Sequence, residues 1–326
     1  MPIHNTFDRE TVVEAKAGNH DAFKDLVRPY LPELRRHVYR MTASFDDADD
    51  IVQETLLRAW RKIGTYEPYG SFRGWLYRIA TNKTLDHLRS APKRREVVNS
   101  AGEPSWLQPF PQSELDPTGQ EITDRERIGL AFVVSLQVLP GRQRSALLLC
   151  DVLGFSPAEA AEVLASSVAA TNSLLQRARA ALAKEEPSGS LSAPDENQRR
   201  LVLRFTRAWQ TADINTMLAL LDESAHLTMP PNTLEFTGPK AIVEILLDEI
   251  HFGAPNKLGI IPVAANGEAG LASYTAVGDG TAKRHCIMLF GGGTDVATKI
   301  TGFTEDRVFD LLGLPTIVSE GEGHDL

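Results

Sequence analysis

The sequence predicts a multidomain chain, two all-α units followed by an α+β unit. Three observations carry that expectation. Apolar residues recur at helical 3-4 spacing through much of residues 5–90 and 121–186. Beyond residue 258 the pattern changes to strand-like runs at 258–264, 270–277, 285–291 and 295–303, separated by Gly, Asn and Asp. Between these regions lie two stretches that cannot continue a helix: Ala91 to Gly119, holding Pro92, Pro104, Pro109, Pro111 and Pro117, and Glu185 to Asp195 (EEPSGSLSAPD). The expected organisation is a unit at 5–90, a Pro-rich linker at 91–120, a unit at 121–186, a flexible linker at 187–195, a unit at 196–315 and a tail at 316–326.

Composition narrows the class. With 42% hydrophobic and 24% charged residues in 326, the chain is neither disordered nor fibrous. No stretch approaches the roughly 18 apolar residues of a bilayer-spanning helix. Met1 to Arg9 lacks a basic-then-apolar leader, so the expected location is the cytoplasm, with no membrane partner. Cys150 and Cys286 stand far apart without a C-x-x-C pair, which excludes a zinc ribbon; both are expected to be buried reduced thiols. The net charge of −9 is uneven: residues 1–190 carry 24 Lys+Arg against 25 Asp+Glu, whereas 191–326 carry 10 against 18. Any nucleic-acid contact is therefore expected before residue 190, because the acidic last third repels phosphate.

In the first unit, Ile51, Val52, Thr55, Leu56, Ala59, Trp60 and Ile63 form one apolar stripe from Ala48 onward, with Asp46 or Asp47 as the cap. The other face carries Asp50, Gln53, Glu54, Leu57 and Arg61. An outward leucine among polar residues suggests a docked partner helix; by itself the stripe is also compatible with a solvated face. A second helix, Phe72 to Ser90, places Phe72, Leu76, Ile79 and Leu88 toward the core. It leaves Arg73, Trp75, Tyr77, Arg78, Asn82, Lys83, His87 and Arg89, the mixture of flat rings and cations that single-stranded nucleic acid uses. The preceding loop, Gly64 to Ser71, sets Tyr66 and Tyr69 beside Gly and Pro. Taken alone, Trp75 and Tyr77 also read as core residues.

The sharpest local signal lies in the second unit. A helix at Arg142 to Asp151 leads through Gly154 to Ser156-Pro157-Ala158-Glu159, a capping box with Pro at the first helical position. A short helix to about Leu164 and the turn Ala165-Ser166-Ser167 precede a helix from Val168 to Ala183. Val168, Thr171, Leu175 and Ala178 are expected inside; Asn172, Ser173, Gln176, Arg177 and Arg179 face out. This is a helix-turn-helix whose amide, hydroxyl and guanidinium groups suit base edges or phosphates, although a plain helical hairpin fits the same pattern. The third unit opens with helices at Gln198 to Ala212, Ile214 to Leu221 and Lys240 to Ile250. An antiparallel meander follows, a sheet curled around helices that leaves a pocket.

These motifs resemble those of a bacterial extracytoplasmic-function sigma factor of the sigma-70 family. DDADDIVQETLLRAWRKI and FRGWLYRIATNKTLDHLR are similar to the family's region 2 helices, and GFSPAEAAEVLASSVAATNSLLQRARAAL to its region 4 helix-turn-helix. The resemblance implies that Asp50, Gln53, Glu54, Leu57 and Arg61 dock the clamp helices of the large subunit of core RNA polymerase, with a further contact at its flap. It implies that Tyr66, Tyr69, Ser71, Arg73, Trp75, Asn82 and Lys83 capture the −10 strand, while Asn172, Ser173, Gln176, Arg177 and Arg179 read the −35 duplex. Residues 196–315 resemble a SnoaL-like cone-shaped domain, with Trp209 on its first helix, the Met229-Pro230-Pro231 turn and Ile300-Thr301-Gly302-Phe303. In that resemblance the domain regulates the sigma unit in cis. Trp106, Leu107, Pro109 and Phe110 of the linker are expected to dock on it or to thread toward the polymerase.

The competing class is catalysis in the last unit, as in SnoaL-like isomerases and cyclases. His226, His251, His285 and Asp306 are available, but none has the spacing of a metal site or dyad. Trp209, His226, Met229 and His285 are pocket candidates for a small-molecule ligand. No cofactor, metal site or catalytic residue is expected. A further alternative is a ligand-responsive helix-turn-helix repressor, which would hold duplex DNA without polymerase.

Overall fold

The computed structural model describes residues 9–67, 71–90, 107–111, 130–183, 196–230, 232, 234–250, 259–277, 280–293 and 295–319. It gathers into two compact units. One joins residues up to 93 with 135–186; the other joins 94–134 with 187–326. The two helical segments thus share one unit, where the sequence pattern suggested two.

The first unit holds α1 (Arg9–Lys16), α2 (His20–Val27), α3 (Leu31–Thr42), α4 (Phe45–Lys62) and α5 (Phe72–Ser90). After α6 (Leu130–Gln137) come α7 (Gly141–Leu147), which runs on through a π turn at Leu148–Val152, α8 (Pro157–Val163) and α9 (Val168–Leu182). Leu26, Leu34, Val38, Tyr39, Ile51, Val52, Leu76 and Ala80 are buried in its core. Helix α4 starts three residues before the expected Ala48, because Ser44 is the cap: its Oγ accepts from the Asp47 N–H at 3.2 Å. Asp46 and Asp47 instead occupy the first turn, where a negative charge favours the helix dipole. The capping box at α8 forms as the spacing predicts, Ser156 Oγ accepting from Glu159 N and Glu159 Oε2 from Ser156 N.

Buried polar groups join these helices. The Arg144 guanidinium, 4% exposed, donates to the carbonyls of Gln137 and Leu139 at 3.0 Å and to that of Met41 on α3. Its charge is met by carbonyl dipoles, so the helix-turn-helix is fastened to α3. His37 is wholly buried, its Nε2 3.2 Å from Thr81 Oγ1 and its Nδ1 without a partner. Burial, reinforced by Arg40 and Arg73, pushes its pKa down from 6.5 to about 3. The unfolded chain therefore binds this proton and the folded one refuses it, so stability falls as pH drops from about 6.5 toward 3. The expected slope from this one group is about 1.4 kcal/mol per pH unit. Urea titrations at pH 7 and pH 5 should show this loss in the wild type and its removal in His37→Gln.

The second unit holds α10 (Glu196–Gln210), α11 (Ile214–Ala219), α12 (Pro239–Ile250) and α13 (Asp306–Leu311). Its strands are β1 (Leu221–Thr228), β2 (Glu235–Thr237), β3 (Gly259–Ala265), β4 (Glu268–Ala276), β5 (Thr281–Gly292), β6 (Ala297–Phe303) and β7 (Ile317–Ser319). The sheet order is β2-β1-β6-β5-β4-β3, with β7 on β5. Strands β3 to β6 make the expected antiparallel meander, but β1 joins β6 in parallel, as in Leu227 opposite Ile300. Strand β1 escapes the periodicity because Asp222 and Ser224 form a local turn, Ser224 donating to Asp222 Oδ1, at a register break between Leu221 and His226. Phe205, Trp209, Met217, Ile242, Leu271, Met288, Phe290 and Ile300 fill the space between helices and sheet.

Candidate nucleic-acid interface

Three helical faces hold the residues the sequence singled out. On α4, Ala48, Ile51, Val52, Thr55 and Ala59 are buried, and Thr55 Oγ1 caps the carbonyl of Ile51 at 2.7 Å. Trp60 is half-buried, stacked on His20 at 4.1 Å. The opposite face presents Asp50, Gln53, Glu54 and Arg61 to solvent around Leu57, which is 57% exposed. Gln53 Nε2 donates to Asp49 at 2.9 Å, and Glu54 pairs with Lys83 of α5, which holds the Glu54 carboxyl below its usual range. One residue assigned to polymerase and one assigned to the −10 strand are thus salt-bridged to each other.

The second face, on α5, differs from expectation. Tyr66 is 6% exposed and packs against Phe72 and Trp75, with centroids 5.4 and 5.5 Å away. Its ring belongs to an aromatic cluster rather than to an open base-holding loop; Tyr69 lies outside the described residues. Ser71 caps α5, its Oγ accepting from Gly74 N at 3.2 Å. Tyr77 is fully buried, which is the core reading its ring also allowed. Arg73 is bound within the unit: it pairs with Glu33 at 2.8 Å, donates to the Leu153 carbonyl at 3.0 Å and lies 4.4 Å over the Phe155 ring. Of the cations and amides on α5, Arg78, Asn82 and Arg89 are exposed, Arg89 paired at 2.9 Å with the exposed Asp86, while Trp75 and Lys83 are half-buried.

The third face is on α9. Ser167 caps it, and Thr171, Leu175 and Ala178 are buried against α7 and α8. Val168, expected inside, is 45% exposed at the first position of the helix. Asn172, Ser173, Gln176 and Arg177 form one exposed stripe. Arg179 does not join it freely: its Nε and Nη2 grip both oxygens of Asp151 at 2.9 and 2.6 Å, a bidentate pair.

In the second unit the four pocket candidates do not converge. Trp209 is 1% exposed, its Nε1 donating to the Leu246 carbonyl at 3.3 Å, and Met229 packs against the same core. His226, half-buried, lies level with Lys299 of β6 and 3.1 Å from Thr237 Oγ1, whereas His285 lies beyond the Ile287–Phe303 pair, where β5 no longer pairs with β6. His251 lies outside the described residues. Among those described, no three His, Cys, Asp or Glu side chains gather in a way that holds a metal. Both cysteines are free, Cys286 buried and Cys150 only half-buried.

What sequence reasoning missed is which residue of the second unit the linker meets. Leu107, Pro109, Phe110 and Pro111 are buried within the second unit. The Phe110 N–H donates to Asn266 Oδ1 at 2.6 Å, and the Asn266 N–H donates to the Phe110 carbonyl at 3.0 Å. Asn266 and Gly267 make the β3–β4 turn with φ of +55° and +77°, values that Asn and Gly tolerate. The Asn-Gly pair was a visible hairpin signal, but nothing in it announces a strap. Trp106 lies outside the described residues.

Comparison with known proteins gives this geometry a class. The family models for Sigma-70 region 2 and Sigma-70, region 4 match residues 26–94 and 130–182. These are the segments that carry α4, α5 and the helix-turn-helix, so the chain is a transcription initiation factor of the sigma-70 kind. ECF RNA polymerase sigma factor SigG of Mycobacterium tuberculosis (strain ATCC 25618 / H37Rv) is 37% identical over 312 residues, 90% of this chain and 84% of that protein. SigJ of the same strain is 33% identical over 256 residues, 74% of this chain and 79% of its own. The chain belongs to the extracytoplasmic-function sigma factor family. The crystal structure of Mycobacterium tuberculosis SigJ superposes with a TM-score of 0.63 at 23% identity, covering 91% of this chain and all of that one, a likeness of fold that includes the C-terminal α+β unit.

Proposed function

We propose that this chain binds core RNA polymerase through the exposed face of α4 and directs it to a bipartite promoter, α5 capturing the −10 strand and α9 reading the −35 duplex. The observation that carries the reading is Leu57, a solvent-facing leucine ringed by Asp50, Gln53, Glu54 and Arg61 on a helix whose other face packs on the core through Ile51, Val52, Thr55 and Ala59. Stacking worth about 1–3 kcal/mol per base would offset the cost of extruding −10 bases, a few kcal/mol. The protein makes no covalent bond in this process.

The arrangement in the first unit is a resting one in this reading. Sites at −10 and −35 are 25 base pairs apart, about 85 Å at 3.4 Å per step. Helices α5 and α8 touch within one unit, and Arg73 of α5 is held by the turn before α8. The two readers must part for both sites to be filled, which frees Arg73 for the promoter strand. The strap at 107–111 lies in the segment that joins those readers, so its attachment to the second unit gives that unit control over their separation in cis.

Run-off transcription with bacterial core polymerase tests this, comparing the full chain with one truncated at Pro187. Promoter-dependent initiation by either form supports the reading, and the difference between them gives the sign of the control. Binding of duplex DNA without polymerase, reversed by a small molecule, would replace it with a repressor. Within the reading, Arg177→Ala should spare polymerase affinity and weaken −35 discrimination by about 1–3 kcal/mol; holoenzyme footprints on promoters with and without the −35 element measure it.

A further inference from the structure

We propose that Arg200, Arg204 and Arg207 of α10 form a phosphate-binding stripe that holds promoter duplex just upstream of the segment read by α9. This rests on the initiation-factor reading and adds a DNA contact on the chain's most acidic part. Four of the 10 Lys+Arg in residues 191–326 sit on this one helix, at Arg199, Arg200, Arg204 and Arg207, and all four are exposed. Among the described residues none of them is ion-paired. The i, i+4, i+7 spacing puts Arg200, Arg204 and Arg207 on one line, and the three line an open groove of about 530 Å³ with Leu203, Thr211 and Thr216. The carboxylate in that groove, Asp213, is already engaged: it accepts from Thr216 N at 3.1 Å and Thr216 Oγ1 at 2.7 Å as the cap of α11.

Duplex phosphate is the occupant that geometry and charge favour. From Arg200 to Arg207 the helix rises about 10 Å, which faces about three phosphates of one strand at 3.4 Å per step. The other face of α10 is buried through Leu201, Val202, Phe205, Ala208 and Trp209, so the stripe is presented rigidly. Residues 183–195 tether it to α9. A random-coil segment of that length would have a root-mean-square span of about 20 Å, which would bring DNA held by α9 to the stripe at an effective concentration on the order of millimolar. Non-specific phosphate contacts with a Kd of about 10⁻⁴ M are filled at that concentration.

The test uses the full chain with core polymerase on two duplexes of one promoter selected by run-off transcription. One duplex ends at the −35 element and the other extends about 20 base pairs upstream. The wild type should bind the longer duplex with a steeper salt dependence, the slope of log K against log salt increasing by about 2.7 for three phosphates. Between 50 and 200 mM salt the preference for the longer duplex should then shrink about 40-fold. The triple variant R200Q/R204Q/R207Q should show no such preference, and R200K/R204K/R207K should regain it. Equal behaviour of wild type and glutamine variant on the long duplex overturns the stripe while leaving the initiation-factor reading intact. A glutamine variant that loses polymerase affinity without DNA assigns the stripe to a protein surface and also overturns the proposal. A wild type that binds neither polymerase nor promoter removes the reading on which the stripe depends.

Discussion

Leu57→Asp should lower the affinity for core polymerase by at least about 100-fold, while leaving the chain folded. Leu57 is 57% exposed on the face of α4 opposite the packed stripe, so its replacement opens no cavity. Burying a leucine at an interface is worth about 1.5–3 kcal/mol. The aspartate forfeits that gain and adds the cost of desolvating a carboxylate without a partner, a few kcal/mol more. At about 1.4 kcal/mol per tenfold, the two together reach or pass two orders of magnitude. The rim behaves differently: Glu54 is already paired with Lys83 and exposed, so Glu54→Gln should cost far less. Titration of labelled protein with core polymerase measures both, and an undiminished affinity for Leu57→Asp would remove this face of α4 from the polymerase contact.

What was legible in the sequence was whatever local chemistry decides. The Ser156–Glu159 box, the buried stripe of α4 and the out-facing set on α9 all follow from spacing of three and four, because one helix determines them. The misreadings are places where a distant element intervenes. Tyr66 looks like an offered ring until Phe72 and Trp75 are seen packed on it. Arg73 and Arg179 look free until Glu33 and Asp151, 40 and 28 residues away, claim them. Strand β1 was hidden by the Asp222–Ser224 turn inside it. Averaging charge over 191–326 also hid the arginines of α10, since a net excess of acid says nothing about one helical face.

Phe110→Asp should detach the strap and make the full chain behave as the form truncated at Pro187 does. Phe110 is 1% exposed, and its backbone exchanges two hydrogen bonds with Asn266, itself 1% exposed. Removing the ring loses about 1.5–3 kcal/mol of burial, and a carboxylate left there without a partner costs more again. The Phe110–Asn266 bonds and the Pro111–Ala265 bridge lie side by side at the β3–β4 turn, so the segment should leave it as a unit. Protease cleavage between 107 and 111 should then appear at enzyme concentrations the wild type resists. Asn266→Gly separates the strap from the turn itself: glycine keeps the positive φ but removes the acceptor of the Phe110 N–H, so a partial version of the same effect is expected. If Phe110→Asp is cleaved at the strap yet transcribes like the wild type while truncation changes transcription, the second unit acts by a route other than the linker. If all three changes move transcription in the same direction, and the two substitutions do so in proportion to the loss of protection, the linker is the route, because it is the covalent segment between the two promoter readers and the substitutions alter its anchorage while keeping the second unit.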